Sequence, residues 1–208
     1  MSRTLRDREA LLAELRHRVR NNLQFIVGLV HLMAPQRRAG HPADRSADLV
    51  GRLQALALVY DTVSSSPNLA AVDLQEYLEQ LGAALLVAGW SAGRPVEVRV
   101  EARGIVIDLD TAIRCGLVAN ELVSNALRHG FAGRPGGRVD VSVHLRADDA
   151  LVLRVADDGI GLPEGTSFDS GETLGLRIVG GLAEQCGGAA RRVPGTASAI
   201  EVIFALPR

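Results

Sequence analysis

A chain of 208 residues, 47% hydrophobic and 3% aromatic, can bury one substantial core or two small ones, and its formal charge of -1 provides no overall basic field for nucleic acid or anionic lipid. No stretch approaches the ~20 apolar residues of a membrane helix, and the start MSRTLRDREA is charged where a secretion signal is apolar. A cytoplasmic protein with neither a nucleic-acid nor a membrane partner is therefore expected. All 23 residues counted as Lys+Arg are arginine, which excludes the Walker A lysine and the strand lysine of eukaryotic-type protein kinases. Cys115 and Cys186 lie far apart in apolar helical patterns without CxxC spacing, as buried thiols do.

From Leu12 the apolar positions step by three and four through Leu15, Val19, Ile26, Leu29 and Met33, with Asn22 in the remaining seam place. That predicts a long helix. Pro35 to Pro42, with Gly40, breaks it, and a second helix runs from Ala47 to Val63 on Leu49, Leu53, Leu56 and Val59 or Tyr60. Two antiparallel helices bury little area alone, so the seam is expected to be shared with a second copy in a dimeric four-helix bundle. The run SSSPN at 64–68 reads as a linker, placing a helical hairpin at 1–68 and a second domain at 69–208.

Asp73 caps the next helix, with Glu76 at the capping-box position, through about Gly89. Val96, Val98 and Val100 then alternate with Glu97, Arg99 and Glu101 as in a half-buried strand. A helix over Leu109 to His129 follows, capped by Asp108 or Asp110. Strands over Arg138 to Leu145 and Ala150 to Ala156 flank a turn at Asp148 and Asp149. A helix over Thr173 to Cys186 stops at Gly187 and Gly188, and Ile200 to Leu206 is a closing strand. The order predicts an α+β sandwich, a mixed or antiparallel sheet with helices on one face.

Within the helix Leu109 to His129, Arg114, Glu121, Asn125 and Arg128 share one face, opposite Ala112, Ala119, Leu122, Val123 and Ala126. Such a polar face is either solvated or looks into a cleft. The strand LVLRVA runs into Asp157, Asp158, Gly159, Ile160 and Gly161, which reads as a plain turn or as a carboxylate aimed at a ligand with glycines beside it. Pro163 and the loop after it distinguish this from a dinucleotide fingerprint, where a helix begins at once.

Taken in order, NELVSNALRHGF, VADDGIGLP and GETLGLRIV resemble the N, G1 and G2 boxes of the Bergerat ATP-binding fold shared by histidine kinases, Hsp90, MutL and type II topoisomerases. The chemistry suits these residue types. Asp157 can accept from the exocyclic amine of adenine, which guanine lacks. Asn125 can offer a neutral oxygen to Mg²⁺ held mainly by phosphates, and Glu121 can orient a metal-bound water or take a proton. Gly159, Gly161 and Gly175 admit close backbone approach, and the helix start at Thr173, Leu174, Gly175 and Leu176 favours phosphate. Arg128 and His129 are candidate phosphate contacts.

The segment LLAELRHRVRNNLQFIVGLVHL resembles the phosphoacceptor region of the HisKA_2 group of sensor histidine kinases, whose motif runs roughly HHRVKNNLQ. GRLQALALVYDTV and VDLQEYLEQL match the same group. Arg16, Arg20 and Tyr60 depart from the pattern, but His17 stands at the position matching the acceptor. If Leu12, Leu15 and Val19 are seam positions, His17 lies on the outermost stripe with Glu14 three residues before and Asn21 four after.

The resemblance implies a protein histidine kinase using ATP and Mg²⁺, a homodimer, whose acceptor His17 passes phosphoryl to an aspartate of a response-regulator receiver domain. Glu14 would orient or deprotonate the imidazole, and Asn21 would position water for dephosphorylation. The signal would come from a separate sensor protein or from an upstream sensor domain beyond this chain. An anti-sigma-factor serine kinase would lack the HRVRNN hairpin. A non-catalytic phosphotransferase would not need Asn125, Asp157, Gly159 and Gly161, and an Hsp90- or MutL-like ATPase would lack an acceptor histidine.

Overall fold

Side-chain caps set where the helices begin, and alternating apolar residues set which face of the sheet they cover. The computed structural model describes residues 50–206 apart from 52, 56, 59–70, 89–90, 92, 163–167, 169–173 and 197. The chain divides into two units, Met1–His41 and Pro42–Arg208, and every described residue belongs to the second. The first hairpin helix with Glu14, His17 and Asn21, the loop at 35–42, the expected linker at 64–68 and Thr173 all lie outside the described residues.

Among residues 50–58, those described are helical, within the helix expected over 47–63. Gly51 and Ala55 are buried, whereas Val50 and Leu53 are 51% and 42% exposed. The buried side holds this segment to the rest of the unit. There the Tyr77 hydroxyl donates to the Ala55 carbonyl at 3.0 Å.

Strand β1 (Ala71–Asp73) leads straight into α1 (Leu74–Val87). Asp73 is extended, and its carboxylate accepts the Gln75 and Glu76 amides at 2.9 and 3.2 Å, satisfying donors that the first helical turn leaves without partners. Glu76 does not complete the expected reciprocal box: it accepts from the Gln80 side chain one turn on. Leu74, Tyr77, Leu78, Leu81, Gly82 and Leu85 form the buried stripe, with the spacing of one helical face.

Strand β2 (Val96–Glu101) follows, then β3 (Val106–Asp108), which pairs antiparallel with β1. Asp108, not Asp110, caps α2 (Leu109–Asn125), its carboxylate accepting the Thr111 amide at 3.0 Å and the Thr111 hydroxyl at 2.6 Å. The helix expected to continue to His129 instead widens at its end into a π-helical turn, Ala126–Gly130. The remaining elements are β4 (Gly137–Leu145), β5 (Ala150–Asp157), α3 (Leu174–Gln185), β6 (Ala190–Arg192) and β7 (Ile200–Ala205).

The main sheet has the order β2-β4-β5-β7-β6, with β2 and β4 parallel and the other pairs antiparallel. Register places Val98, Val139, Leu153, Val155, Val202 and Ile200 on one face, and the charged residues Glu97, Arg99, Asp140, Arg154 and Glu201 on the other. Helix α1 lies on the apolar face, so close that a methyl on Gly82 would sit 2.9 Å from Val98 Cγ1. The turn between β4 and β5 falls at Asp148 and Asp149 as expected, with Asp149 at φ 60°. The fold is thus the expected α+β sandwich, with the sheet mixed.

Candidate nucleotide-binding site

The two adjacent aspartates at the end of β5 bond in different directions, because successive residues of a strand face opposite ways. Asp158 faces β4: its carboxylate accepts the Arg138 amide at 2.8 Å and its amide donates to the Arg138 carbonyl at 3.2 Å. Asp157 points the other way, and its carboxylate accepts the Gly159 amide at 2.9 Å. Each carboxylate thus accepts one backbone amide, Asp157 half-buried on the Gly130 side and Asp158 exposed on the Arg138 side.

Backbone closeness explains the glycines around it. A methyl on Gly159 would lie 2.0 Å from the Gly130 carbonyl oxygen, and one on Gly130 would lie 3.0 Å from Asp157 Oδ1. The Ile160 amide donates to that same Gly130 carbonyl at 2.7 Å, and Arg134 donates to the Gly159 carbonyl at 3.0 Å. Gly161 follows at φ +85°, a left-handed conformation that glycine adopts without a steric cost. The π-helical turn is thus what joins the end of α2 to the loop after β5, and π turns concentrate where a helix has to re-aim its side chains.

A residue that sequence reasoning missed completes this end. The Ser198 hydroxyl accepts the Asp157 amide at 3.1 Å and donates to the Asp157 carbonyl. Ser198 is buried just before β7, the strand paired with β5. A small hydroxyl residue immediately ahead of the closing strand was the available signal. Burial holds the Asp157 carboxyl above the usual carboxylate range; the Gly159 amide and Ser198 hydroxyl oppose this, Asp158 adds to it, and Arg134 opposes it.

On α2 the polar residues do not form a solvent face, one of the two expectations for this helix. Glu121 is only 4% exposed, and buried residues occur on every side of α2. Asn120 donates to Glu121 Oε1 at 3.3 Å. On the other side, a methyl on Gly175 would lie 2.5 Å from Glu121 Oε2 and 3.7 Å from Asn125 Nδ2. The first turn of α3 therefore meets Glu121 and Asn125 directly. Leu176 beside it is buried, Asn125 and Arg128 are half-buried, and His129 is exposed. Arg128 and His129 ride on the π-helical turn, not on the straight helix expected.

The structure so brings together Glu121, Asn125 and Gly175 on one side, and Asp157, Gly159 and Gly161 on the other, joined through Gly130. Sequence comparison matches the two halves of the chain to known families. Residues 14–88 match the HisKA_2 family, described as histidine kinase, and residues 110–208 match the family described as histidine kinase-, DNA gyrase B- and HSP90-like ATPase. The chain belongs to the histidine kinase family.

Similar relatives include Blue-light-activated histidine kinase 2 of Erythrobacter litoralis strain HTCC2594, 33% identical over 181 residues, covering 85% of this chain and 51% of that protein. Sensor histidine kinase PdtaS of Mycobacterium tuberculosis is 36% identical over 183 residues, covering 85% of this chain and 35% of that protein. The chain thus spans about half the length of the first relative and about a third of the second. Among solved structures, the histidine kinase domain of the Erythrobacter litoralis EL346 blue-light-activated kinase has a TM-score of 0.62 and 28% identity, covering 76% of this chain and 75% of that one. The ATPase-family match over 110–208 implies that this domain binds ATP. None of the described helices is long and apolar enough to cross a membrane.

Proposed function

We propose that this chain is an ATP-dependent protein histidine kinase that phosphorylates its own His17 and passes the phosphoryl group to an aspartate of a response-regulator receiver domain. One observation supports this above the rest: Glu121 and Asn125 on α2 meet the Gly175 turn of α3, while the same helix reaches the Asp157 loop through Gly130. Residues 54 positions apart in the chain, Glu121 and Gly175, so converge on one site.

In this reading Asp157 accepts from the exocyclic amine of adenine, with Ser198 and the Gly159 amide holding the strand end and carboxylate in place. Asn125 supplies a neutral oxygen to Mg²⁺. A single neutral donor suits an ion which keeps most of its ligands as water and phosphate. Gly175 and Leu176 in the first turn of α3, with Arg128 and His129 on the π-helical turn, would serve the phosphate end, as would Thr173 and Leu174 from the motif. Glu121 orients water or receives a proton.

ATP supplies the γ-phosphoryl group. A neutral imidazole nitrogen of His17 attacks the γ-phosphorus in line; an N–P bond forms, the bond to the ADP oxygen breaks, and the ring proton leaves to Glu14 or to solvent. A reference pKa near ~6.5 makes the neutral imidazole abundant at neutral pH. Catalysis of this kind is mostly positioning and charge neutralisation. Asn21 would place water for the reverse removal of phosphate from the partner.

The hairpin at 1–68 and the ATP-binding domain at 69–208 are the functional parts, and the hairpin pairs with a second copy. The exposed Val50 and Leu53 beside buried Ala55 support that pairing, since uncovered apolar side chains on one helix face favour a partner. The signal reaches the kinase from a separate sensor protein or an upstream sensor domain, and the protein acts in the cytoplasm. Replacing His17 with Gln tests the central claim. Labelling from γ-phosphate-labelled ATP should disappear while nucleotide binding persists, and continued acid-labile labelling would sink the assignment.

A further inference from the structure

The strongest observation left unexplained by the proposed function is Asn120. It is 3% exposed on α2, immediately before Glu121, in a position where a Leu, Val or Ala would fit the apolar surroundings that dominate this helix. One half of its amide donates to Glu121 Oε1 at 3.3 Å. The other half, Oδ1, is buried with no hydrogen-bond partner among the described residues. A buried carbonyl oxygen without a partner is a cost to folding, and such groups in native proteins point to a duty elsewhere.

The two oxygens of Glu121 show what that duty is. Oε1 is held by Asn120, and Oε2 is the atom nearest to Gly175, at 2.5 Å from where a methyl would stand. Asn120 therefore stands on the far side of the carboxylate from the start of α3. A carboxylate on a helix can otherwise turn about its terminal torsion, whose well is broad. An amide on one oxygen restricts that rotation and leaves the other directed toward the α3 turn. Glycine at 175 leaves room for this orientation, since a methyl there would lie 2.5 Å from Oε2.

We infer that Asn120 is a positioning residue, which holds the Glu121 carboxylate so that Oε2 faces the phosphate end of the site. This inference rests on the reading of Glu121 as the group that orients water or takes a proton. In this role Asn120 acts only through Glu121, the residue its amide bonds. Any loss from changing it must therefore vanish when Glu121 has already lost its function.

A double-mutant cycle on the 208-residue chain tests this, with autophosphorylation rate measured against ATP concentration for Asn120→Ala, Asn120→Asp, Glu121→Gln and the two combinations. Asn120→Asp keeps the shape but replaces the donor with an acceptor, so it should do as much harm as Asn120→Ala. The expected result is a fall of about tenfold in the maximal rate for each single Asn120 variant, with KM for ATP within about twofold of the parent. Neither should lower the rate of Glu121→Gln by more than about twofold. Thermal melts accompany the kinetics, and a variant that fails to melt cooperatively is replaced in the cycle by Asn120→Ser. An additive loss in the Glu121→Gln background, a loss carried by KM, or a parent-like rate for Asn120→Asp would each overturn the inference. A parent-like rate for Glu121→Gln would instead overturn the reading of Glu121 on which it stands, and the inference with it.

Discussion

Replacing Asp157 with Asn should move nucleotide affinity and apo stability in opposite directions. The carboxylate accepts the Gly159 amide at 2.9 Å, a bond the Asn carbonyl oxygen can keep, so the loop after β5 stays in place. Its second oxygen becomes an NH2 group, which meets the adenine amine donor to donor. Losing a hydrogen bond to a charged acceptor is worth about 1.5–3 kcal/mol, or roughly 10- to 150-fold in affinity.

The stability effect follows from the raised carboxyl pKa, caused first by burial. A folded-state pKa above the unfolded one means the native state binds more protons between the two values. Stability contributed by this group therefore falls as pH rises through that window and stays lost at neutral pH. Asn carries no charge, so Asp157→Asn escapes the loss. The carboxylate is only partly buried, and solvent screening limits the gain to roughly 0–1 kcal/mol. Titration with a fluorescent nucleotide and denaturant melts at neutral pH and near pH 4 measure both quantities. Weakened binding with equal or greater neutral-pH stability, the stability difference closing near pH 4, is the expected outcome. Parent-like affinity would refute the placement of Asp157 on adenine, and a clear loss of stability would refute the electrostatic argument.

Two further outcomes follow from buried groups. Tyr77→Phe leaves the Ala55 carbonyl without its 3.0 Å donor and should lower stability by about 1–3 kcal/mol, which a thermal melt would read as a fall of several degrees; an unchanged melt would show that water replaces the phenol. Cys115 is fully buried, and burial pushes its thiol well up, whereas Cys186 is half-buried, its thiol also raised by burial but within reach of solvent. A thiol reagent at pH 8 should modify Cys186 alone in the native protein and both after denaturation, and rapid native labelling of Cys115 would contradict the packing of α2.

Local signals were legible wherever a single element decides. Asp73 and Asp108 cap helices because the donors they satisfy lie two and three residues away. Val96, Val98 and Val100 alternate because a strand's side chains do, and the motifs holding Asn125, Asp157, Gly159, Gly161 and Gly175 carried the resemblance to the ATPase family that the chain matches. The three-residue strands β1, β3 and β6 were not legible, since three residues hold too little pattern to separate a strand from a turn.

What only the tertiary structure decided concerns partners far apart in the chain. Register between β4 and β5 set Asp158 against Arg138 and turned Asp157 toward Gly130 and Gly159. Pairing of β5 with β7 brought Ser198 to Asp157 across 41 residues. Packing of α3 against α2 turned Glu121 from one residue of a polar helix face into a buried carboxylate between Asn120 and Gly175. Residue types and spacing determine which chemistry the chain can carry, because each motif is local. How each of two neighbouring carboxylates is held, and which way it faces, depends on contacts that form only when distant segments are brought together.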